Sequence, residues 1–542
     1  MTVSRSDALK AAALLLLLLA PTLILPWTDH GLSGGEFLGT LGFALWILLA
    51  PLVLIGRLRW YLLLGLPLVP LALVWLYVCH LFRSVPGDVL VSAALDSGWA
   101  QWMEMLGAAG WPLLAVPVAM GIYLALALSI RNSARVGWPA RKALLAALLL
   151  YALAGTAGRQ WLGLYLPLPP LFDSTAAGLS FPAGLALSVD RTLEHRHALN
   201  AKVSVHGHPA ADAPPQLLVV LVIGESVRVD HLGLNGYARN TTPKLTELGP
   251  ALLSFSHVAS TAQWTAVAMP NIVSQEREGG REGGREHGRA NLMQTFAEAG
   301  FRTAWLSNQE RTTLAAAADV SEFADGARDF HLRSDRVLLP LFESFVAQAG
   351  ARQFVVLHMI GSHYPYEERY AADSRRFTPT LPALAEGLRP GVALKQEAIN
   401  SYDNTIVETD KFLRRVIDRL NREQRPAVML YISDHGENLF DDERQMFMHA
   451  LPTLTRHDLD VPLLVWANPA YREADPARLQ ALREHQRARI GQVDVFPTLL
   501  DLGHVAWGGA APQDSFASAS YTEKPRRLAN LSGWTGSSDE VR

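Results

Sequence analysis

Cysteine is almost missing: Cys79 is the only one in 542 residues, and it lies inside an apolar run. No disulfide can form within the chain, so packing and any bound metal must stabilise whatever part is exported. A strong charge of either sign is missing too. The formal net charge is −3, and no basic stripe runs through the C-terminal half, which argues against a nucleic-acid partner. Low complexity is confined to 276–289 (EREGGREGGREHGR). That stretch is too polar to bury a core, so it reads as a surface loop with His287 facing solvent.

Apolar length is abundant. Residues 9–27, 37–56, 60–81, 110–130 and 143–163 are long hydrophobic segments, each about the 20 residues needed to cross a bilayer. A cleaved leader would explain the first alone. Arg5 and Lys10 precede the first segment, Arg57 and Arg59 follow the second, and Arg131, Arg135, Arg141 and Lys142 lie between the fourth and fifth. The intervening loops at 28–36 and 82–109 hold only Arg83. By the positive-inside rule the N-terminus is cytoplasmic, and five crossings place everything after about residue 165 outside. Tryptophans and apolar residues in 82–109 suggest a helix at the headgroup level or a loop capping the helices.

The remaining chain divides by pattern. The prolines at 166–170 should end the fifth span, 183–199 look helical, and 206–215 read as a linker. The expected domains are therefore a transmembrane anchor (1–165), a bridging helix and linker (166–215), and an exported domain (216–542). From Gln216 onward strands alternate with helices, the signature of an α/β sandwich. Strands are expected at 217–223, 303–306, 354–359, 427–432 and 462–466, and helices at 411–421 and 476–490, with Asp475 as a cap.

Several of these apolar strands end abruptly in metal-type ligands. One run is followed by Gly224-Glu225-Ser226, another by Ser433-Asp434-His435-Gly436-Glu437. His358, His363, Asn308 and Gln309 lie at two further strand ends. In open parallel sheets ligands gather at the carboxyl ends of strands. Carboxylate with imidazole suits zinc, or manganese where oxygen ligands dominate. His358 lies inside its strand and reads as a satisfied buried histidine, and His457 as either a polar contact or a surface residue. Between the first two of these strands, Ser260-Thr-Ala-Gln-Trp-Thr265 leads into a helix. A metal and a helix N-terminus would make the Thr265 hydroxyl a nucleophile toward phosphate.

Longer motifs carry a resemblance. Gly224 to Tyr237 with Asn240-Thr-Thr-Pro243, Thr265-Ala-Val-Ala-Met-Pro270, His358-Met-Ile-Gly-Ser-His363, Tyr402-Asp-Asn-Thr405 and Ser433 to Glu437 together resemble the phosphoethanolamine transferases of Gram-negative bacteria. These are membrane members of the alkaline phosphatase and sulfatase superfamily. The resemblance implies a five-span helical anchor and an α/β sulfatase-like periplasmic domain with a mostly parallel central sheet, in a multi-pass inner-membrane protein. It implies zinc held by Glu225, Thr265, Asp434 and His435, with His363 and His449 facing the transferred phosphate. Asn308, Gln309 and Arg311 stand where the family contacts substrate, although many members carry a lysine there. The implied donor is phosphatidylethanolamine. The implied acceptor is an envelope glycolipid or glycan, such as lipid A or the lipopolysaccharide core, reached through a phosphothreonine with release of diacylglycerol. Two rivals remain: a glycerol-phosphate transferase of the same superfamily, and a non-catalytic lipid or lipopolysaccharide sensor. A sulfatase proper is disfavoured, because no Cys/Ser-x-Pro-x-Arg motif surrounds Thr265.

Overall fold

A computed structural model of the chain describes residues 3–28, 32–82, 85–86, 91, 111–161, 174–200, 206–276, 281–282, 285–286, 289–309, 312–324, 334–348, 350–382, 390–449, 454–509, 511–530 and 533–541. Most of 82–109, the prolines of 166–170, most of the 276–289 insert with His287, and Arg311 lie outside the described residues. The chain forms two compact units, Met1–Leu193 and Glu194–Arg542. Their division falls between the expected boundaries at 165 and 215.

The first unit is helical. Its helices include α1 (Arg5–Leu23), α2 (Gly34–Ile55), α3 (Leu58–Leu64), α4 (Leu68–Phe82), α5 (Trp111–Ser129) and α6 (Trp138–Trp161), and α7 (Ala183–Asn200) runs across the division. Local sequence sets the helix starts. Ser33 and Glu36 cap α2 reciprocally, each side chain bonding the other's backbone N–H. Each expected apolar segment is helical, but the third is broken into α3 and α4, bent by 53°. Among the described residues, α1 with its extension to Trp27, α2, and the bent α3–α4 pair are long and apolar enough to cross a membrane. Leu16, Leu54 and Val74 are exposed on these helices, as lipid-facing side chains would be.

The second unit is built on one mixed sheet. Its strands are β1 (Leu217–Gly224), β2 (Leu252–Ala259), β3 (Arg302–Ser307), β4 (Val320–Phe323), β5 (Arg352–His358), β6 (Ala427–Ser433), β7 (Asp460–Ala467) and β8 (Ile490–Gly491), in the order β8-β2-β7-β6-β1-β5-β3-β4. From β6 through β4 every pairing is parallel, whereas β7 runs antiparallel to both β6 and β2. Pro462 sits at the register shift between β7 and β2, where a missing N–H is tolerated. All eight residues of β1 are buried, because helices cover both faces of the sheet. Leu217, Val219, Leu221 and Ile223 face one core with Met269, Ile272 and Val273 of α8 (Thr265–Val273). Leu218, Val220 and Val222 face the other, with Phe412, Val416 and Ile417 of α9 (Lys395–Leu420).

The five expected strands are all present. Within this eight-stranded sheet, three were not expected: β2, β4 and β8. Helix α9 begins sixteen residues before the expected 411, because its first half buries polar side chains instead of an apolar stripe. The 476–490 helix stops at Glu484, after a start capped by Asp475, and Ile490 pairs with Val258 in the sheet.

The buried polar half of α9 explains the Gly224–Tyr237 and Thr-Thr-Pro motifs. Asp403 is fully buried and accepts from Tyr237 Oη at 3.0 Å and Arg239 Nη1 at 2.8 Å, with His231 Nδ1 at 2.7 Å. Asp410 accepts the backbone N–H groups of Lys244 and Leu245 at 3.0 and 2.8 Å. These carboxylates clamp the 231–245 segment onto α9. Asp403→Ala would strand three donors, so unfolding stability of the detergent-solubilised chain should fall by about 3–5 kcal/mol. An unchanged denaturation midpoint would show the clamp to be dispensable.

Candidate metal centre

Strand pairing places two carboxylates side by side. Ser433 of β6 is in register with Gly224 of β1, and the Asp434 N–H donates to the Gly224 carbonyl at 3.1 Å. Glu225 and Asp434 therefore leave neighbouring strand ends at one level, with His435 next to them. Glu225 and Asp434 are each 1% exposed and His435 is 0% exposed. His435 Nε2 lies 3.3 Å from both Glu225 Oε1 and Asp434 Oδ2.

Thr265 is the first residue of α8. Its hydroxyl lies 3.0 Å from Glu225 Oε2, 2.7 Å from Asp434 Oδ2 and 3.4 Å from His435 Nε2. Unlike the three groups beneath it, Thr265 is partly exposed. The Thr265 hydroxyl therefore sits at the mouth of the site and the charged groups form its floor.

The donors suit a resident metal. Single ligand atoms of Glu225, Asp434 and His435 lie within 4.8 Å of one another. His435 Nδ1 lies 2.8 Å from the Gly436 carbonyl. A carbonyl only accepts, so Nδ1 carries a hydrogen and Nε2 is the nitrogen that faces the carboxylates. Two carboxylate oxygens, one imidazole nitrogen and one hydroxyl make a four-donor set of the kind zinc takes.

The electrostatics show the same demand for a cation. Burial alone would raise Glu225, but His435, His363 and His449 beside it hold its carboxyl well below the usual range. Burial, and then the charge of Glu225, push Asp434 up. Burial would lower His435, yet Asp434 and Glu225 overcome it and raise the imidazole. Without a cation the floor holds protons that a divalent ion would displace.

Two further imidazoles stand at the mouth. A second group of candidate ligands joins Glu225 to His363 and His449, whose ring centroids are 5.8 Å apart. His363 Nδ1 donates to the Tyr364 carbonyl at 2.6 Å. His449 Nδ1 lies 3.2 Å from Glu437 Oε1. Burial lowers His363, and Glu225 opposes this.

The remaining candidates divide. Gln309 is at the site, but its amide donates to Glu225 Oε2 at 3.0 Å and to the Met359 carbonyl at 2.6 Å. Asn308 is buried, with Nδ2 on Asp335 at 3.0 Å. His358 is buried beside Ser307 Oγ at 3.1 Å, and burial pushes its imidazole down to about 4. His457 accepts from Arg228 Nη2 at 2.8 Å. Neither His358 nor His457 belongs to a ligand group among the described residues.

Other contributors were not read from the sequence. Asp335 accepts the Ile360 and Gly361 N–H groups at 2.8 and 3.0 Å and so holds the turn that carries His363. Gly361 has φ +47°, and a Cβ there would lie 2.7 Å from the Glu225 carbonyl oxygen. Gly436 is equally constrained, since a Cβ would meet the His457 carbonyl at 2.0 Å. Glu437 was visible only as a motif letter. Its partner lies twelve residues on, across the β-bridge of Asn438 with Met448.

Comparison with known proteins agrees with this geometry. The family model described as Sulfatase matches residues 218–505, more than half of the chain. The chain belongs to the sulfatase family. Among curated sulfatase-family relatives, phosphoethanolamine transferase CptA of Salmonella typhimurium is 25% identical over 357 residues, covering 63% of this chain and 60% of CptA. The chain thus spans about three fifths of the length of that relative. The integral membrane lipooligosaccharide phosphoethanolamine transferase A of Neisseria meningitidis superposes with a TM-score of 0.73 at 21% identity, covering 96% of this chain and 99% of that structure. The C-terminal periplasmic domain of EptC from Escherichia coli, solved as a complex with Zn, superposes with a TM-score of 0.55 at 22% identity, covering 62% of this chain and 96% of that domain. The likeness to the Neisseria protein extends the shared fold to the helical unit.

Zinc loading of this sulfatase-family site should release protons, and apparent affinity should rise with pH from about 6 to about 10, because Asp434 is raised to about 7 and His435 to about 10. Calorimetry in buffers of different ionisation enthalpy reads this directly. Loading without proton release would contradict a floor that is protonated before the metal enters.

Proposed function

We propose that this chain is a zinc-dependent phosphoethanolamine transferase. It would move phosphoethanolamine from phosphatidylethanolamine to an envelope glycolipid or glycan through a phosphothreonine at Thr265, releasing diacylglycerol. The observation that carries this is the placement of the Thr265 hydroxyl. It is accessible at a helix start and lies within 3.0 Å of two buried carboxylates of a metal-type donor set. The names of the curated relatives support the transferred group, and the Zn complex of the EptC domain supports the metal.

Zinc held by Glu225, Asp434, His435 and Thr265 would lower the cost of deprotonating the Thr265 hydroxyl and offset negative charge on the phosphoryl group. The protein supplies the rest. The N-terminus of α8, which begins at Thr265, would favour an approaching phosphate. His363 and His449, both near Glu225, would contact the phosphoryl oxygens and the leaving oxygen. Because His363 Nδ1 is engaged by a carbonyl, its Nε2 is the nitrogen left for substrate. Glu437 Oε1 lies 3.2 Å from His449 Nδ1, and His449 would give a proton to the departing glyceride oxygen. Attack forms the Thr265 Oγ1–phosphorus bond and breaks the bond to diacylglycerol, and an acceptor hydroxyl or phosphate then reverses the exchange. Gln309 acts in this scheme through Glu225, and Asn308 through the Asp335 turn.

The anchor follows from the substrates. A lipid donor and a diacylglycerol product both stay in the bilayer. We take residues 1–165 as five crossings with the N-terminus in the cytoplasm, 166–215 as a bridge, and 216–542 as a periplasmic domain on the bacterial inner membrane.

With phosphatidylethanolamine as donor, the wild type should gain a phosphoethanolamine adduct on Thr265 and release diacylglycerol. Thr265→Ala should lose the adduct and about 1000-fold or more of the release, with zinc content preserved. Intact mass and lipid analysis read both. Diacylglycerol release that persists in Thr265→Ala would overturn the nucleophile, and a zinc-loaded wild type that releases none would overturn the donor.

A further inference from the structure

Along the outer edge of the sheet, where β2 pairs with β8, a cleft of about 400 Å³ is lined by Arg456, Arg487, Arg489, Arg526 and His257. The carboxylates around it are already engaged. Asp460 takes Arg456 in a two-point contact, with Nε and Nη2 2.9 and 2.8 Å from Oδ2. Asp539 sits between Arg489 and Arg526, and Glu523 accepts the Arg489 backbone N–H at 3.0 Å. Four guanidinium groups against three carboxylates leave one positive charge uncompensated. Arg487, exposed at the cleft, has no ion-pair partner among the described residues.

This cleft is structurally tied to the metal centre. Arg526 is a buried, fixed wall, with Nε on Asp539 at 2.9 Å and Nη1 on the His257 carbonyl at 3.3 Å. Three residues further on, the Ala529 N–H donates to the Thr261 carbonyl at 2.8 Å, four residues before Thr265. On β2, His257 precedes Ser260 by three residues, and the Ser260 hydroxyl donates to the Asp434 carbonyl at 2.6 Å. At about 3.3 Å per residue, His257 lies roughly 10 Å along β2 from Ser260, the residue that bonds the Asp434 backbone.

We propose that this cleft binds a phosphate monoester on the acceptor glycan while Thr265 carries the phosphoethanolamine, an inference that rests on the proposed transfer. A phosphate monoester brings nearly two negative charges and three acceptor oxygens, which match forked guanidinium donors. The donor lipid has a single phosphate, and that phosphate is at Thr265 during transfer. A second phosphate held in the cleft at the sheet edge therefore belongs to the other substrate. The acceptor class is an anionic glycan that carries a phosphate besides the group it receives.

The test uses the full chain in detergent, titrated with glucose 1-phosphate and with glucose, in wild type, Arg487→Glu and Arg487→Lys. The wild type should bind two equivalents of the sugar phosphate, one at the metal centre and one in the cleft. Arg487→Glu should lose the second, and Arg487→Lys should keep it. Glucose should not bind in the cleft. With a phosphorylated glycan acceptor, Arg487→Glu should raise KM roughly three- to tenfold, while diacylglycerol release from the donor stays unchanged. Identical phosphate binding in wild type and Arg487→Glu overturns the cleft site. Loss of that binding with no change in acceptor KM overturns its assignment to the acceptor. A wild type that releases no diacylglycerol overturns the proposed transfer, and the binding result still decides the cleft.

Discussion

Glu225 and Asp434 leave the carboxyl ends of neighbouring parallel strands at the same level, so both side chains enter one buried volume. Two like charges removed from water repel, and each loses hydration worth several kcal/mol unless something compensates. The compensation is local and ordered. Ser226 Oγ donates to Glu225 Oε1 at 2.8 Å, and the Ser226 and His435 N–H groups donate to Asp434 Oδ1 at 3.1 and 2.7 Å. These donors fix the carboxylates without cancelling their charge. A cation completes the site, and Thr265 then inherits a polarised environment by position alone.

The structure behind that floor keeps it from relaxing. Ser260 and Gln492 both hold the Asp434 carbonyl from the β2 and β8 side. Tyr402 of α9 donates to the Ser226 carbonyl at 2.6 Å and accepts the Arg228 N–H at 2.9 Å. The polar first half of α9 thus has two jobs. Asp403 and Asp410 pin the 231–245 segment, and Tyr402 supports the turn after Glu225. Preorganised donors of this kind matter for group transfer, because they need no rearrangement as charge develops.

Division of labour follows from exposure. The metal-type ligands are sealed, whereas Thr265, His363 and His449 are only partly buried. A phosphate can reach the threonine without displacing the floor. The arginine cleft at the β2–β8 edge is connected to the loop before Thr265 through the Ala529–Thr261 hydrogen bond.

The sequence by itself determined the central strands, because a strand buried on both faces must be a continuous apolar run, and 217–223 and 427–432 are such runs. It also determined the chemistry at their ends, since an apolar run that stops in Glu225 or Asp434-His435 has no reason to do so in a simple core. The apolar N-terminal segments were legible for the same reason of composition, although the break between α3 and α4 was not. Only the tertiary structure decided the rest. The edge strands β4 and β8 are too short to carry a pattern, and the buried polar residues of α9 hide its helical periodicity. Asp335, Gln309 and Glu437 act through partners brought near by folding, up to 84 residues away in sequence for Gln309 and Glu225. A hydrogen bond is a fact of distance and angle, and residue type alone records only the capacity to make one.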